Sequence, residues 1–214
     1  MVQIPEPAKE RLLYLMRVLE KNGAKPVTSH QIEALTGWSS HTIRKDVSYL
    51  EGDCGGSVQG YEPAELIRGI KKTLGLETRR RFCVVGLGRL GSAYLNFRAF
   101  DFGEFEMVAG FDTSVNRVEI LKSPVPLYPA YKMAEIIRRF SIEIALLCVP
   151  GEAAQGAAEK LAAAGIRGIL NFAPVALTLD GEIAVRNVYV MDELRALAIN
   201  LPASGFQAPA RPPP

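Results

Sequence analysis

The run Phe82-Cys83-Val84-Val85 is apolar throughout, and Gly86-Leu87-Gly88-Arg89-Leu90-Gly91 follows it at once with glycines at the G-x-G-x-x-G spacing. An apolar run of this length predicts a buried strand, and Ser92 to Phe100 reads as a helix with Ala93, Leu95 and Phe97 available for packing. Such a turn constrains the chain because each glycine has a separate task. Gly86 permits the tight bend, Gly88 lets backbone approach a pyrophosphate, and Gly91 lets helix lie close to strand. The loop residues Leu87, Arg89 and Leu90 would surround the anion, with the free N–H groups of the helix start facing it. A second apolar strand, Phe105 to Phe111, ends in Asp112. That carboxylate stands about 20 residues beyond the last glycine, where an acid accepts the ribose hydroxyls of NAD and disfavours the 2′-phosphate of NADP. The other reading of the stretch is a glycine turn that holds no ligand.

Beyond Asp112 strand and helix alternate. A short helix is expected near 115–121, a strand at Val125–Tyr128 and a helix over 130–140. Ile142–Val149 reads as a buried strand, followed by a helix over 151–164 and a strand at Gly168–Leu170. Val185–Val190 closes the series before a last helix, about Asp192 to Asn200. Alternation at this spacing predicts an α/β fold with a doubly wound, parallel, Rossmann-like sheet whose ligands bind at the carboxyl ends of the strands. Two further loops should therefore reach the ligand, the one holding Val149 and Pro150 and the one holding Asn171, Phe172, Ala173 and Pro174.

The N-terminal part has a different pattern. Helices are expected from about Ala8 to Asn22 (inner stripe Leu12, Leu13, Leu15, Met16, Leu19), from a Thr28/Gln31 capping box to Thr36-Gly37, and from a Ser39 or Ser40 cap to about Leu50. A helix, a glycine-bearing turn and a second helix make a helix-turn-helix. On the third helix Ile43, Val47 and Leu50 share an inner face, while His41, Arg44, Lys45 and Ser48 share an outer one. Arg and Lys on such a face can donate to guanine edges in a DNA major groove, and the hydroxyls of Thr28, Ser29, Ser40 and Ser48 can meet phosphates. A merely solvated helix face is the alternative. Glycine-rich Gly52–Tyr61 is short enough for a hairpin wing, and a fourth helix closes at Gly75. The expected organisation is a winged-helix DNA-binding domain (1–75), a linker (76–80), a dinucleotide-binding domain (81–190), a final helix (191–201) and a disordered tail (202–214).

Composition sets bounds on this reading. Net charge is +2, with thirteen Lys/Arg against ten Asp/Glu in residues 1–81, so the first domain is mildly basic. Cys54, Cys83 and Cys148 lack metal-ligand spacing, and two of them lie in apolar strands, which points to reduced thiols, a cytoplasmic location and no metal. No apolar run approaches membrane-spanning length, so no membrane partner is expected.

Along nearly its whole length, the sequence resembles the Rex family of redox-sensing transcriptional repressors. The residues that carry the likeness are Ile43-Arg44-Lys45-Asp46-Val47-Ser48-Tyr49, the Gly86–Gly91 loop, Val149-Pro150 with Ala154-Gln155, and the long run from Ala164 to Val175. The resemblance implies a homodimer that binds double-stranded operator DNA and releases it when NADH occupies the Rossmann domains, with NAD⁺ competing and not releasing. It also implies a last helix exchanged between subunits and no bond-making activity. Two departures stand out. The family's wing usually carries a basic residue before its glycines, where this chain has Asp53 and one residue more. The family's switch joins an Arg, a Tyr and an Asp, and the matching positions here are Arg17, Phe97 and Tyr189. Either Asp192 supplies the missing acid or the switching is altered. A diverged member with weak DNA binding is thus one alternative, and an NAD-dependent oxidoreductase another. Against the enzyme, both histidines, His30 and His41, lie in the first domain. The Gly151–Gly165 region also looks like that of CoA-binding domains, though Asp112 favours NAD.

Overall fold

The computed structural model describes residues 4–23, 25–52, 60–97 and 103–201. The chain divides into two compact units, Met1–Arg79 and Arg80–Pro214.

The first unit holds α1 (Glu6–Asn22), α2 (Ser29–Thr36), α3 (Ser40–Val47) and α4 (Pro63–Thr73). Proline at the first turn starts α1 and α4, where its missing N–H costs nothing. The capping box of α2 is complete: Gln31 N–H donates to Thr28 Oγ1 at 3.2 Å, and the Gln31 side chain accepts from the Thr28 N–H at 2.8 Å. The helix ends at left-handed Gly37, and Ser39 caps α3 by accepting from the Thr42 N–H at 3.2 Å. Leu12, Leu15 and Leu19 of α1 meet Ile32, Ile43, Val47, Leu50, Tyr61, Leu66 and Ile70 in one core. Leu13, expected in the stripe, is 38% exposed, and Ala8 is buried instead. An isolated antiparallel bridge joins Val27 to Tyr61. Most of the expected wing, residues 53–59, lies outside the described residues, as do Cys54 and the tail 202–214.

The second unit is a six-stranded parallel sheet in the order β3-β2-β1-β4-β5-β6. Its strands are β1 (Arg80–Val85), β2 (Phe105–Asp112), β3 (Leu127–Pro129), β4 (Ile144–Leu147), β5 (Gly168–Asn171) and β6 (Ala184–Asn187). Between them run α5 (Arg89–Leu95), α6 (Val115–Ile120), α7 (Met133–Phe140) and α8 (Gly151–Ala164), and α9 (Val190–Ile199) follows β6. This order is that of a doubly wound dinucleotide fold, and the reversal between β1 and β4 opens a crevice at their carboxyl ends.

Several boundaries differ from expectation. Arg80 already pairs with Phe105, so β1 takes the last expected linker residue. Helix α5 stops at Leu95, with Asn96 as its cap, and residues 98–100 of the expected helix are outside the described residues. Ser141 ends α7 in the left-handed region, so Ile142 belongs to a turn and β4 begins two residues later. Strand β6 ends at Asn187 because Tyr189 caps α9, which starts at Val190.

Candidate dinucleotide cleft and recognition helix

A cleft of about 1390 Å³ lies at the carboxyl ends of β1 and β4. Gly86, Gly88, Arg89, Leu90, Asp112, Val149 and Pro150 line it together, with Cys148, Arg117 and the facing residues of α7 and α8. Gly86 and Gly91 sit in close surroundings, and Gly88 stands open. Gly86 has φ +89°, and a Cβ there would stand 2.7 Å from the Cys148 carbonyl oxygen. At Gly91 an added Cβ would come within 1.9 Å of the Gly86 carbonyl oxygen, so α5 rests directly on the turn. A Cβ at Gly88 would meet nothing within 4 Å, which leaves space for a ligand's phosphates beside the backbone. First-turn N–H groups of a helix have no intrahelical acceptor, and those of α5 start where Gly88 and Arg89 line the cleft. The donor set and the open glycine fit a pyrophosphate.

Asp112 closes the far side of the loop and is 5% exposed. Its Oδ2 accepts from the Leu87 N–H at 2.7 Å, its Oδ1 from the Ser114 N–H at 2.8 Å, and Arg117 Nη1 donates to both oxygens at 2.9 and 3.1 Å. Burial pushes the Asp112 pKa up, but hydrogen bonds from Ser114, Leu87 and Arg117, with the Arg117 charge, hold it below the usual carboxylate range. Arg117 was not singled out from the sequence, although it stands on the helix just after β2.

Five expected ligand contacts do not line the cleft. The Leu87 N–H is spent on Asp112 and its side chain is 2% exposed, so Leu87 wires the loop to the carboxylate and does not face the cleft. Asn171 is 0% exposed: its Nδ2 donates to the Val175 carbonyl (2.8 Å) and to Asn187 Oδ1 (2.9 Å), and its Oδ1 accepts from the Ala173 N–H (3.0 Å). It shapes the β5 loop from within. Phe172, Ala173 and Pro174 are not on the cleft wall either. Phe172 packs on Tyr94 with ring centroids 4.9 Å apart, Ala173 is buried, and Pro174 with Val175 stands over Gly151 at the start of α8. Cys148, at the cleft wall, has its thiol pushed up to about 12 by burial, and the buried Cys83 thiol is also raised, so both stay protonated near neutrality.

In the first unit His41, Arg44, Lys45 and Ser48 of α3 are exposed together. Ser48 Oγ donates to the Lys45 carbonyl at 2.6 Å, and Arg44 Nη1 reaches Ser29 Oγ at 3.4 Å. Of the other hydroxyls, Thr28 is committed to its capping box and Ser29, 9% exposed, accepts from Arg44, while Ser40 is half-buried with its backbone N–H donating to Glu33 at 3.1 Å. Arg44 and Lys45 are the exposed Arg and Lys side chains of this face. What holds that face outward was missed in the sequence: Arg11 of α1 donates to Asp46 at 2.6 and 2.8 Å, and Asp46 is 3% exposed. The hydrogen bond to Asp46 raises the Arg11 pKa, burial opposing it. Of the expected switch residues, Arg17 is exposed on α1, Phe97 is 53% exposed and edge-on to Tyr94, and Tyr189 caps α9. Asp192 pairs with Arg195 on its own helix at 2.7 Å.

A helix-turn-helix with a basic outer face, on one chain with a glycine-loop cleft in a parallel sheet, defines a nucleotide-responsive DNA-binding protein. The comparisons make this particular. A family model described as a CoA binding domain matches residues 77–175. A redox-sensing transcriptional repressor Rex from Thermus thermophilus is 38% identical over 213 residues, covering 92% of this chain and 93% of the relative. Another from Limosilactobacillus reuteri is 34% identical, covering 91% and 92%. Among solved structures, the Rex-family repressor RSP in complex with β-NAD⁺ and operator DNA matches with a TM-score of 0.82 at 30% identity, covering 92% of each chain. RSP with β-NADH matches at 0.80 and 28%, covering 92% and 94%. The chain belongs to the Rex family of redox-sensing transcriptional repressors, whose members are repressors and not enzymes.

Proposed function

We propose that this chain is an NADH-responsive repressor. Its α3 face binds operator DNA, and NADH in the cleft shifts the protein to a state that releases the duplex. The observation that carries this reading is the likeness to RSP across both units at once, since RSP is known with β-NADH and with β-NAD⁺ and operator DNA. The cleft's own geometry supports the ligand: an open Gly88, a tight Gly86–Gly91 contact and a charged Asp112. Gly86, Gly88, Arg89 and Leu90 would surround the pyrophosphate, Asp112 would face the adenosine ribose, and Val149 and Pro150 would lie toward the nicotinamide end.

The protein acts as a homodimer through α9 in this reading. Val190, Met191, Leu194 and Leu197 are 64, 48, 51 and 59% exposed on that helix, an apolar face suited to a second copy. Two copies would set two α3 helices on successive half-sites. A bacterial cytoplasm suits a DNA-directed function, and among the described residues no helix is long and apolar enough to cross a membrane. NADH shifts the equilibrium by its differential affinity for the two states. A swing from mostly bound to mostly free takes about 5.5 kcal/mol of that difference. With Phe97 and Tyr189 at the switch positions, that difference comes from packing and not from a three-way charge relay.

A gel shift of the operator duplex crystallised with RSP tests the reading. Binding that falls with salt and is abolished by NADH supports it; salt-sensitive binding indifferent to NADH overturns it.

A further inference from the structure

The outer face of α3 carries two permanent cations and one conditional one. His41, Arg44, Lys45 and Ser48 are exposed on it together. Arginine and lysine side chains on a surface stay charged throughout the physiological range. An imidazole ordinarily changes charge near about pH 6.5, and histidine is the side chain whose ordinary titration falls between about pH 5 and 8. Position brings His41 to a duplex before its neighbours. In a helix-turn-helix the N-terminal residues of the second helix meet the base edges, and His41 is the second residue of α3. Arg44 and Lys45 follow three and four positions on, so the three side chains form one stripe.

The charged groups that reach α3 from its neighbours are engaged elsewhere. Glu33 of α2 accepts from the Ser40 N–H at 3.1 Å and stands 3.5 Å from His30 Nδ1. Arg11 of α1 is held by Asp46 on the inner side of α3. His30 thus has a carboxylate of its own subunit beside it, while His41 shares its stripe with cations. A duplex laid on that stripe brings anionic phosphates to the imidazole, and a nearby opposite charge favours its protonated form.

Resting on the operator-binding reading above, we propose that His41 is a DNA-contact residue that binds in its protonated form, the imidazolium donating to an acceptor on the duplex. The acceptor is a phosphate oxygen or a guanine edge. Formation of the complex then takes up a proton at each His41. The contribution is full at pH values where the free imidazole is already protonated, and it is lost as pH rises through the higher titration of the complex. Operator affinity therefore increases as pH falls through the ordinary histidine range.

Gel shifts of the operator duplex crystallised with RSP test this, run at about pH 6 and about pH 8 with the full-length wild type, His41→Asn, His41→Lys and His30→Asn. Wild type binds about tenfold more tightly at the lower pH, the worth of one charge-assisted contact, and His30→Asn keeps that response. His41→Asn, which takes up no proton, binds at the lower pH as wild type does at the higher. His41→Lys, charged throughout, binds tightly at both, which a merely structural role for His41 would not give. NADH titration of each variant stays at the wild-type value. A salt dependence steeper at the lower pH by about 0.9 per subunit puts the imidazolium on a phosphate, and an unchanged one puts it on a base edge. Wild-type binding without a pH response, or a response that survives in His41→Asn or vanishes in His30→Asn, overturns the proposal alone. Wild-type protein that binds the duplex at neither pH overturns the operator-binding reading with it.

Discussion

Alanine at Gly88 and alanine at Gly91 should do opposite things, because the two glycines are needed for different reasons. At Gly91 the new Cβ would lie 1.9 Å from the Gly86 carbonyl oxygen, where ordinary contact begins at 3.4 Å. The loop and α5 must part by the difference, 1.5 Å, and both partners are backbone. Over-packing of this kind costs about 1–3 kcal/mol, and the displaced turn should also lose its ligand. At Gly88 φ is −65° and nothing lies within 4 Å of the new Cβ. Stability should stay within about 0.5 kcal/mol of wild type. The methyl group would occupy the space left for a phosphate, however. Losing one charge-assisted hydrogen bond costs about 1.5–3 kcal/mol, or roughly tenfold to hundredfold in Kd. Urea unfolding and calorimetric titration with NADH read the two quantities separately. A Gly88→Ala protein that binds NADH like wild type, or a Gly91→Ala protein of unchanged stability, would refute the reasoning.

Other expectations follow from single contacts. Arg44→Ala should weaken operator binding by about 1–3 kcal/mol in a gel shift and leave NADH titration unchanged, since Arg44 lies on the exposed face of α3. Arg11→Ala strands the Asp46 carboxylate, whose side chain is 5% exposed, and should cost about 3–5 kcal/mol of stability in urea unfolding. Adding Asp46→Ala should recover part of that loss. Because the Asp112 pKa is lowered in the folded protein, its contribution is present above the ordinary carboxylate value and lost as pH falls through the folded one. The difference in melting temperature between wild type and Asp112→Asn should therefore be flat from about pH 5 to 8 and shrink below about pH 4. Leu194→Asp with Leu197→Asp should give monomers in sedimentation, as α9 has no buried residue of its own within the subunit.

The glycine loop was legible in the sequence because Gly86 and Gly91 answer local steric demands at a recognisable spacing. So was the outer face of α3, which a helical period alone decides. Asp46 shows where such reading stops. It occupies the inward position between Ile43 and Val47, but a carboxylate there makes sense only with Arg11, which is 35 residues away and brought close by the fold. Asn171 was misplaced for the same reason. A polar residue at a strand end resembles a ligand contact until its partner Asn187, on the neighbouring strand, is known. Leu87 belongs with it, since no sequence pattern tells whether a loop N–H faces a ligand or the next strand's carboxylate. Arg117 could have been found, for a carboxylate buried at a strand end needs a cationic partner, and Arg117 stands five residues on, in the next helix.

Linkage offers the most direct test of the central claim, that one polypeptide couples a dinucleotide cleft to a DNA-binding face. If NADH weakens operator binding by some factor, the operator must weaken NADH binding by the same factor. The decisive measurement is the Kd for NADH with and without a saturating amount of the operator duplex crystallised with RSP. The account predicts a rise of about tenfold or more with the duplex present, matching the loss of DNA affinity that NADH causes. An NADH Kd unaltered by bound duplex would contradict it.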